Sequence, residues 1–100
     1  MDTVLISAEA LGECMKRRGF STRALAHAVE SRLIRDHRAG DPDPTCSKST
    51  ISNLRCGERR HCRPDRAAAI ESILGLEPYQ LFRPVIRADR WYIENVKAAV

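Results

Sequence analysis

Apolar residues recur along this chain at helical spacing, and the stretches that carry the recurrence are parted by turn residues. Leu11, Cys14 and Met15 share one face of a segment that Ser7 can cap, with Glu9 near its positive end. Lys16-Arg17-Arg18 complements the negative end, and Gly19 stops the helix. Behind a second cap, Ser21, the residues Leu25, Val29 and Leu33 recur every four positions and predict a helix from Thr22 to about Arg35. The pattern lapses from Asp36 to Thr45. There Gly40-Asp41-Pro42-Asp43-Pro44 reads as an exposed loop, because each proline lacks a donor and turns its predecessor away from helix. A third helix, capped by Ser47 and running to Cys56, buries Ile51 and Leu54 and ends at Gly57, a ready left-handed stop. A fourth begins at Pro64, where a missing amide costs nothing, and carries Asp65 in its first turn. It turns Ala67, Ile70, Ile73 and Leu74 inward and closes at Gly75. Pro78-Tyr79-Gln80-Leu81-Phe82 reads as one further helical turn, with Leu76, Leu81 and Phe82 over the core. The expected fold class is therefore all-α: four or five short helices with an enlarged loop between the second and third.

Beyond Arg83 the pattern is ambiguous. Tyr92, Val96, Ala99 and Val100 fit one helical face, whereas Trp91 and Ile93 alternate as a strand would. Trp91-Tyr92-Ile93 is too apolar to be left wholly in water, so residues 84–100 are expected to form a tail that packs on the domain or joins two copies as a homodimer. The domain itself would occupy residues 1–83.

One hundred residues, 43% of them apolar, suffice for a single core and leave little for a large active site. No serine has a His and acid partner at a known motif spacing, no Gly-rich phosphate loop occurs, and no helix brings two carboxylates together toward a cleft. His27 reads as a surface or half-buried side chain. The expectation is a protein that is not an enzyme and needs no cofactor or small-molecule substrate. Cys46, Cys56, His61 and Cys62 are metal-type ligands, but they lack a Cys-x-x-Cys knuckle, and adjacent His61 and Cys62 give an awkward pair of directions for one tetrahedral ion. No metal is expected, and the four cysteines, Cys14 included, are expected to stay thiols. The chain starts without a charged leader and has no apolar run of the ~18 residues a membrane span needs, which predicts a cytoplasmic protein with no membrane partner.

The net charge of +4 is unevenly spread, at −3 over residues 1–15, +5 over 16–40, +2 over 41–66 and balanced thereafter. The excess lies in the middle of the chain, over residues 16–66, a stretch that includes the third helix. With Ile51 and Leu54 inward, that helix presents Lys48, Ser49, Ser52, Asn53 and Arg55, and Arg59 and Arg60 follow its stop. Lys and Asn suit base edges, hydroxyls suit phosphates or bases, and the arginines can reach the sugar-phosphate backbone. A double-stranded DNA partner follows, since a basic band of this kind favours an anionic polymer.

Taken in order, Arg18-Gly19-Phe20-Ser21-Thr22-Arg23-Ala24-Leu25-Ala26, then Ser47 through Gly57, then Ala69 through Leu76 with Leu81-Phe82, resemble the lambda-repressor-like (Cro/repressor) helix-turn-helix family. The likeness is greatest to short regulators encoded by phages of actinobacteria. It implies a repressor-like transcription regulator whose helix 47–56 reads the major groove, with Lys48, Ser49, Ser52 and Asn53 at base edges. It also implies that Thr22, with the amino end of its helix, grips a phosphate, and that Ala26 lets the two helices cross closely; the exposed cations Arg23, Arg55, Arg59 and Arg60 are expected to hold further phosphates. The family passes between the positions of Val29 and Ser47 with only a few residues, whereas seventeen intervene here. Two other readings fit the same helices. One is a protein-interaction module, such as a host-protein modulator or antitoxin, anchored by Trp91-Tyr92-Ile93; the other is an excision or recombination factor.

Overall fold

In the computed structural model, which describes residues 2–85, four helices form where caps and periodicity place them. They are α1 (Ala8–Arg18), α2 (Thr22–Asp36), α3 (Lys48–Cys56) and α4 (Pro64–Ile73). The hydroxyls of Ser7, Ser21 and Ser47 accept from the amides of Ala10, Ala24 and Thr50 at 3.1, 3.1 and 3.2 Å, each satisfying one otherwise orphaned donor. Gly57, at φ +86°, ends α3 in the left-handed region. Gly75, at φ +73°, ends the turn after α4 and lies against the Arg18 guanidinium, so a side chain there would be strained and would also collide.

The expected inner faces meet in one core. Leu11 and Met15 from α1, Leu25, Ala26 and Val29 from α2, Ile51 and Leu54 from α3, and Ile70 and Leu74 at α4 are all buried. Each fully buried Leu, Ile or Met contributes on the order of 1.5–3 kcal/mol. Helix α2 packs on both α3 and α4, and α1 packs on α3.

The all-α expectation is overturned by a three-stranded antiparallel sheet, in the order β2-β1-β3, built from β1 (Asp2–Leu5), β2 (His61–Cys62) and β3 (Phe82–Val85). Thr3 pairs with Cys62 on one side and with Pro84 on the other. Strands of four and two residues carry almost no periodic signal, and their partners lie far off in sequence, so nothing local announces them. The sheet closes the core from below: Leu5 and Phe82 are buried, and the Thr3 hydroxyl donates to the Cys62 carbonyl at 2.7 Å.

The helical turn expected over residues 78–82 is also replaced. Tyr79 is left-handed, at φ +67°, and the chain leaves the turn as β3. The amides of Leu81 and Phe82 are taken by a side chain, the buried Glu71 carboxylate, whose Oε2 accepts both at 3.0 and 3.1 Å. Strand β3 extends through Pro84 and Val85, two residues beyond the expected boundary at 83; the remainder of the tail, with Trp91, Tyr92 and Ile93, lies outside the described residues.

The enlarged connector is not a free loop. Its last residues are clamped by two helices: the Glu30 carboxylate of α2 accepts from the Cys46 amide at 3.1 Å, and Nε and Nη2 of Arg66 in α4 both donate to the Thr45 carbonyl, at 2.9 and 2.6 Å. Arg63 adds a bond to the Asp43 carbonyl. These contacts fix the entry to α3, as a tight turn would in a shorter connector.

Candidate nucleic-acid interface

Helix α3 divides sharply. Thr50, Ile51 and Leu54 are buried, and Thr50 also shares a 3.1 Å hydroxyl contact with the cap, Ser47. Lys48, Ser52 and Arg55 follow one line along the helix and Ser49, Asn53 and Cys56 the adjacent line. Of these, Lys48, Ser49, Ser52, Arg55 and Cys56 are exposed and Asn53 is half-buried. The four residues expected at base edges therefore share one outward surface.

Arg55 stands where this surface meets α1, its Nε 3.7 Å from where a Cβ on Gly12 would lie. Past Gly57 the chain turns back along the helix, because the Arg59 amide donates to the Asn53 carbonyl at 3.0 Å. It is then drawn into the sheet, where the Leu5 amide donates to the Arg60 carbonyl at 2.7 Å. Arg59 and Arg60, both exposed, thus follow α3 on a backbone held at two points. Thr22 and Arg23 belong to a different element, the first turn of α2, with Thr22 half-buried and Arg23 exposed.

The cations of this surface are in no ion pair among the described residues, and Glu58 is the acid next to them in sequence. Among the described residues, Lys48, Arg23, Arg55, Arg59 and Arg60 have no carboxylate within 4.0 Å; the ion pairs present are Arg32 and Arg35 with Asp36, Arg63 with Asp65, and His61 with Asp2. Arg63, also within the basic stretch, is by contrast engaged by Asp65 at 3.0 Å. Asp41 and Asp43 are exposed on the connector, whose outer bend lies with Leu33 of α2 and Asp65 of α4.

Sequence reasoning missed the supports of this surface. Glu30, Arg66, Asp2 and His61 act across sequence separations of 16, 21 and 59 residues, and no local motif marks them. The cysteines are free, with Cys56 exposed and Cys46 and Cys62 buried. Burial pushes the Cys62 thiol up to about 12 and raises Cys46 as well, in both cases against the opposing pull of Arg66. Among the described residues no three His, Cys, Asp or Glu side chains come together as a metal-binding group. Nor is any helix among them long and apolar enough to cross a membrane. Comparison with family models, curated proteins and solved structures gave no match.

Proposed function

We propose that the protein is a sequence-specific double-stranded DNA-binding regulator of transcription that inserts the amino-terminal part of α3 into the major groove. The observation that carries this reading is the outward face of α3: polar and basic, free of acidic partners, on a helix whose opposite face is locked into the core. A helix so held presents its side chains from a fixed backbone, and Lys and Asn at its first two turns suit purine edges. Lys48, Ser49, Ser52 and Asn53 meet bases in this reading, while Arg55, Arg59 and Arg60, with Thr22 and Arg23 from α2, hold phosphates. One domain of this size offers limited contact area, so a strong site would be two-fold and occupied by two copies.

The reading is tested by selecting bound duplexes from a random library and titrating wild type and variants on the selected site and on a scrambled one. Lys48→Ala or Asn53→Ala should cost about 1–3 kcal/mol on the selected site and little on the scrambled one. Arg59→Ala should weaken both alike and lower the slope of log affinity against log salt by about 0.9. Wild-type behaviour in all three variants removes α3 as the reading element.

A further inference from the structure

The sheet creates a second cationic feature beside the reading helix. Between the first turn of α3, strand β2 and the amino end of α4 lies an open cleft of about 230 Å³, walled by Arg59, Arg63 and Arg66 above Thr50 and Cys62. Two of the three guanidinium groups are already fixed. Arg63 spends Nε and Nη2 on the Asp65 carboxylate, at 3.0 Å each, and Arg66 spends Nε and Nη2 on the Thr45 carbonyl. Among the described residues Nη1 of both has no acceptor, and neither does any nitrogen of the Arg59 side chain. A guanidinium held by two bonds gives up little further freedom when it takes an anion on its remaining edge. Among the described residues a single carboxylate, Asp2, lines the cleft, and it is engaged by His61 Nδ1 at 3.0 Å.

We infer that this cleft is an oxyanion site that accepts a phosphate group, and that the group is a phosphodiester of the duplex read by α3. The choice of source rests on the DNA-binding reading above. It is favoured by continuity: Arg59, bonded through its amide to Asn53 of α3, belongs both to the reading surface and to the cleft wall. The cleft is also open along one side, which suits an oxygen presented by a long polymer.

The test follows the backbone amide resonances of Thr50, His61, Cys62 and Arg63 in the full chain through two titrations, one with random-sequence duplex and one with inorganic phosphate at constant ionic strength. Two variants accompany them: Arg66→Gln, which removes a wall charge, and Asp2→Asn, which removes the opposing carboxylate and keeps an acceptor for His61. The duplex is expected to shift all four amides. Arg66→Gln is expected to lower the salt slope of duplex binding by about 0.9, and Asp2→Asn to tighten duplex and phosphate several-fold. Asp2→Asn keeps the test decisive even where Arg66→Gln loosens the connector. Shifts with phosphate in a protein that also binds duplex, but leaves these amides unmoved by it, reject the duplex as the source. Duplex binding with all four amides and both variants at wild-type behaviour overturns the cleft and leaves the α3 reading standing. Phosphate shifts in a protein that binds no duplex overturn the α3 reading and support the site as one for a free anion.

Discussion

Glu71 looks like a solvated charge on an amphipathic helix, yet it is 4% exposed and one of its oxygens accepts two consecutive backbone amides. Leaving a buried donor unpaired costs about 1–3 kcal/mol, so Glu71→Ala should destabilise the fold by roughly 2–4 kcal/mol. Glu71→Gln, which keeps an acceptor oxygen, should lose clearly less; urea titration of both variants checks this, and equal losses would point to packing instead of the bonds. Cys62 supplies the pH-dependent counterpart. Its folded-state value of about 12 lies above the ordinary 9.0, so between those limits the unfolded chain gives up the proton while the folded chain holds it. Stability should therefore be complete below about pH 9 and fall as pH rises toward 12, by up to a few kcal/mol. Removing the thiol with Cys62→Ala should flatten that fall in denaturation midpoints measured between pH 8 and 11, and an equally steep fall in the variant would sink the assignment. The burial of both residues was illegible in the sequence for one cause: their surroundings are backbone and core groups that only the folded chain assembles.

Elements were legible to the extent that their signals are local. Ser7, Ser21 and Ser47 cap the helices they precede, Gly57 stops α3, and Pro64 opens α4, because each acts within one turn of chain. The outward residues of α3 could be picked for the same reason, since Ile51 and Leu54 alone orient a nine-residue helix. Strands β1 and β2 depend on a pairing across nearly sixty residues, and neither alternates long enough to be read. The connector is intermediate: its prolines mark it as non-helical, but its anchorage by Glu30 and Arg66 is tertiary. That anchorage makes Glu30 a positioning residue for α3. Glu30→Ala should cost about 1 kcal/mol, speed hydrogen exchange at the Cys46 amide, and lower affinity for the selected duplex more than for a scrambled one. Glu30→Gln should restore the preference. A variant with fast exchange but an unchanged ratio of affinities would separate the clamp from DNA reading.

At the scale of the whole molecule, the sheet ties the beginning of the domain to its end, with Asp2 opposite Val85 and Leu5 opposite Phe82. This arrangement constrains how two copies could associate. The Ile6 amide donates to the Leu81 carbonyl at 2.8 Å, so Arg83 and Val85 bond toward β1 while Phe82 and Pro84 face outward. The Phe82 amide is already taken by Glu71, and proline has no amide to offer, so among the described residues that outer edge of β3 offers acceptors alone. A second strand cannot zip onto such an edge, and the fold is thereby guarded against pairing through β3. A dimer on a two-fold DNA site must use another surface, and residues 86–100, with Trp91, Tyr92 and Ile93, are the candidate the sequence offers. Truncation should start after Val85 and not after Arg83, because cutting at 83 would remove half of β3 and confound assembly with unfolding. In sedimentation runs at matched concentration, the full chain should associate and the chain ending at residue 85 should be monomeric with its thermal midpoint nearly unchanged. The shortened chain should still bind a single half-site with the wild-type salt slope but lose the cooperative step on a two-fold site. Identical sedimentation of the two chains would remove the tail from the interface, and a lower thermal midpoint in the shortened one would instead make 86–100 part of the domain.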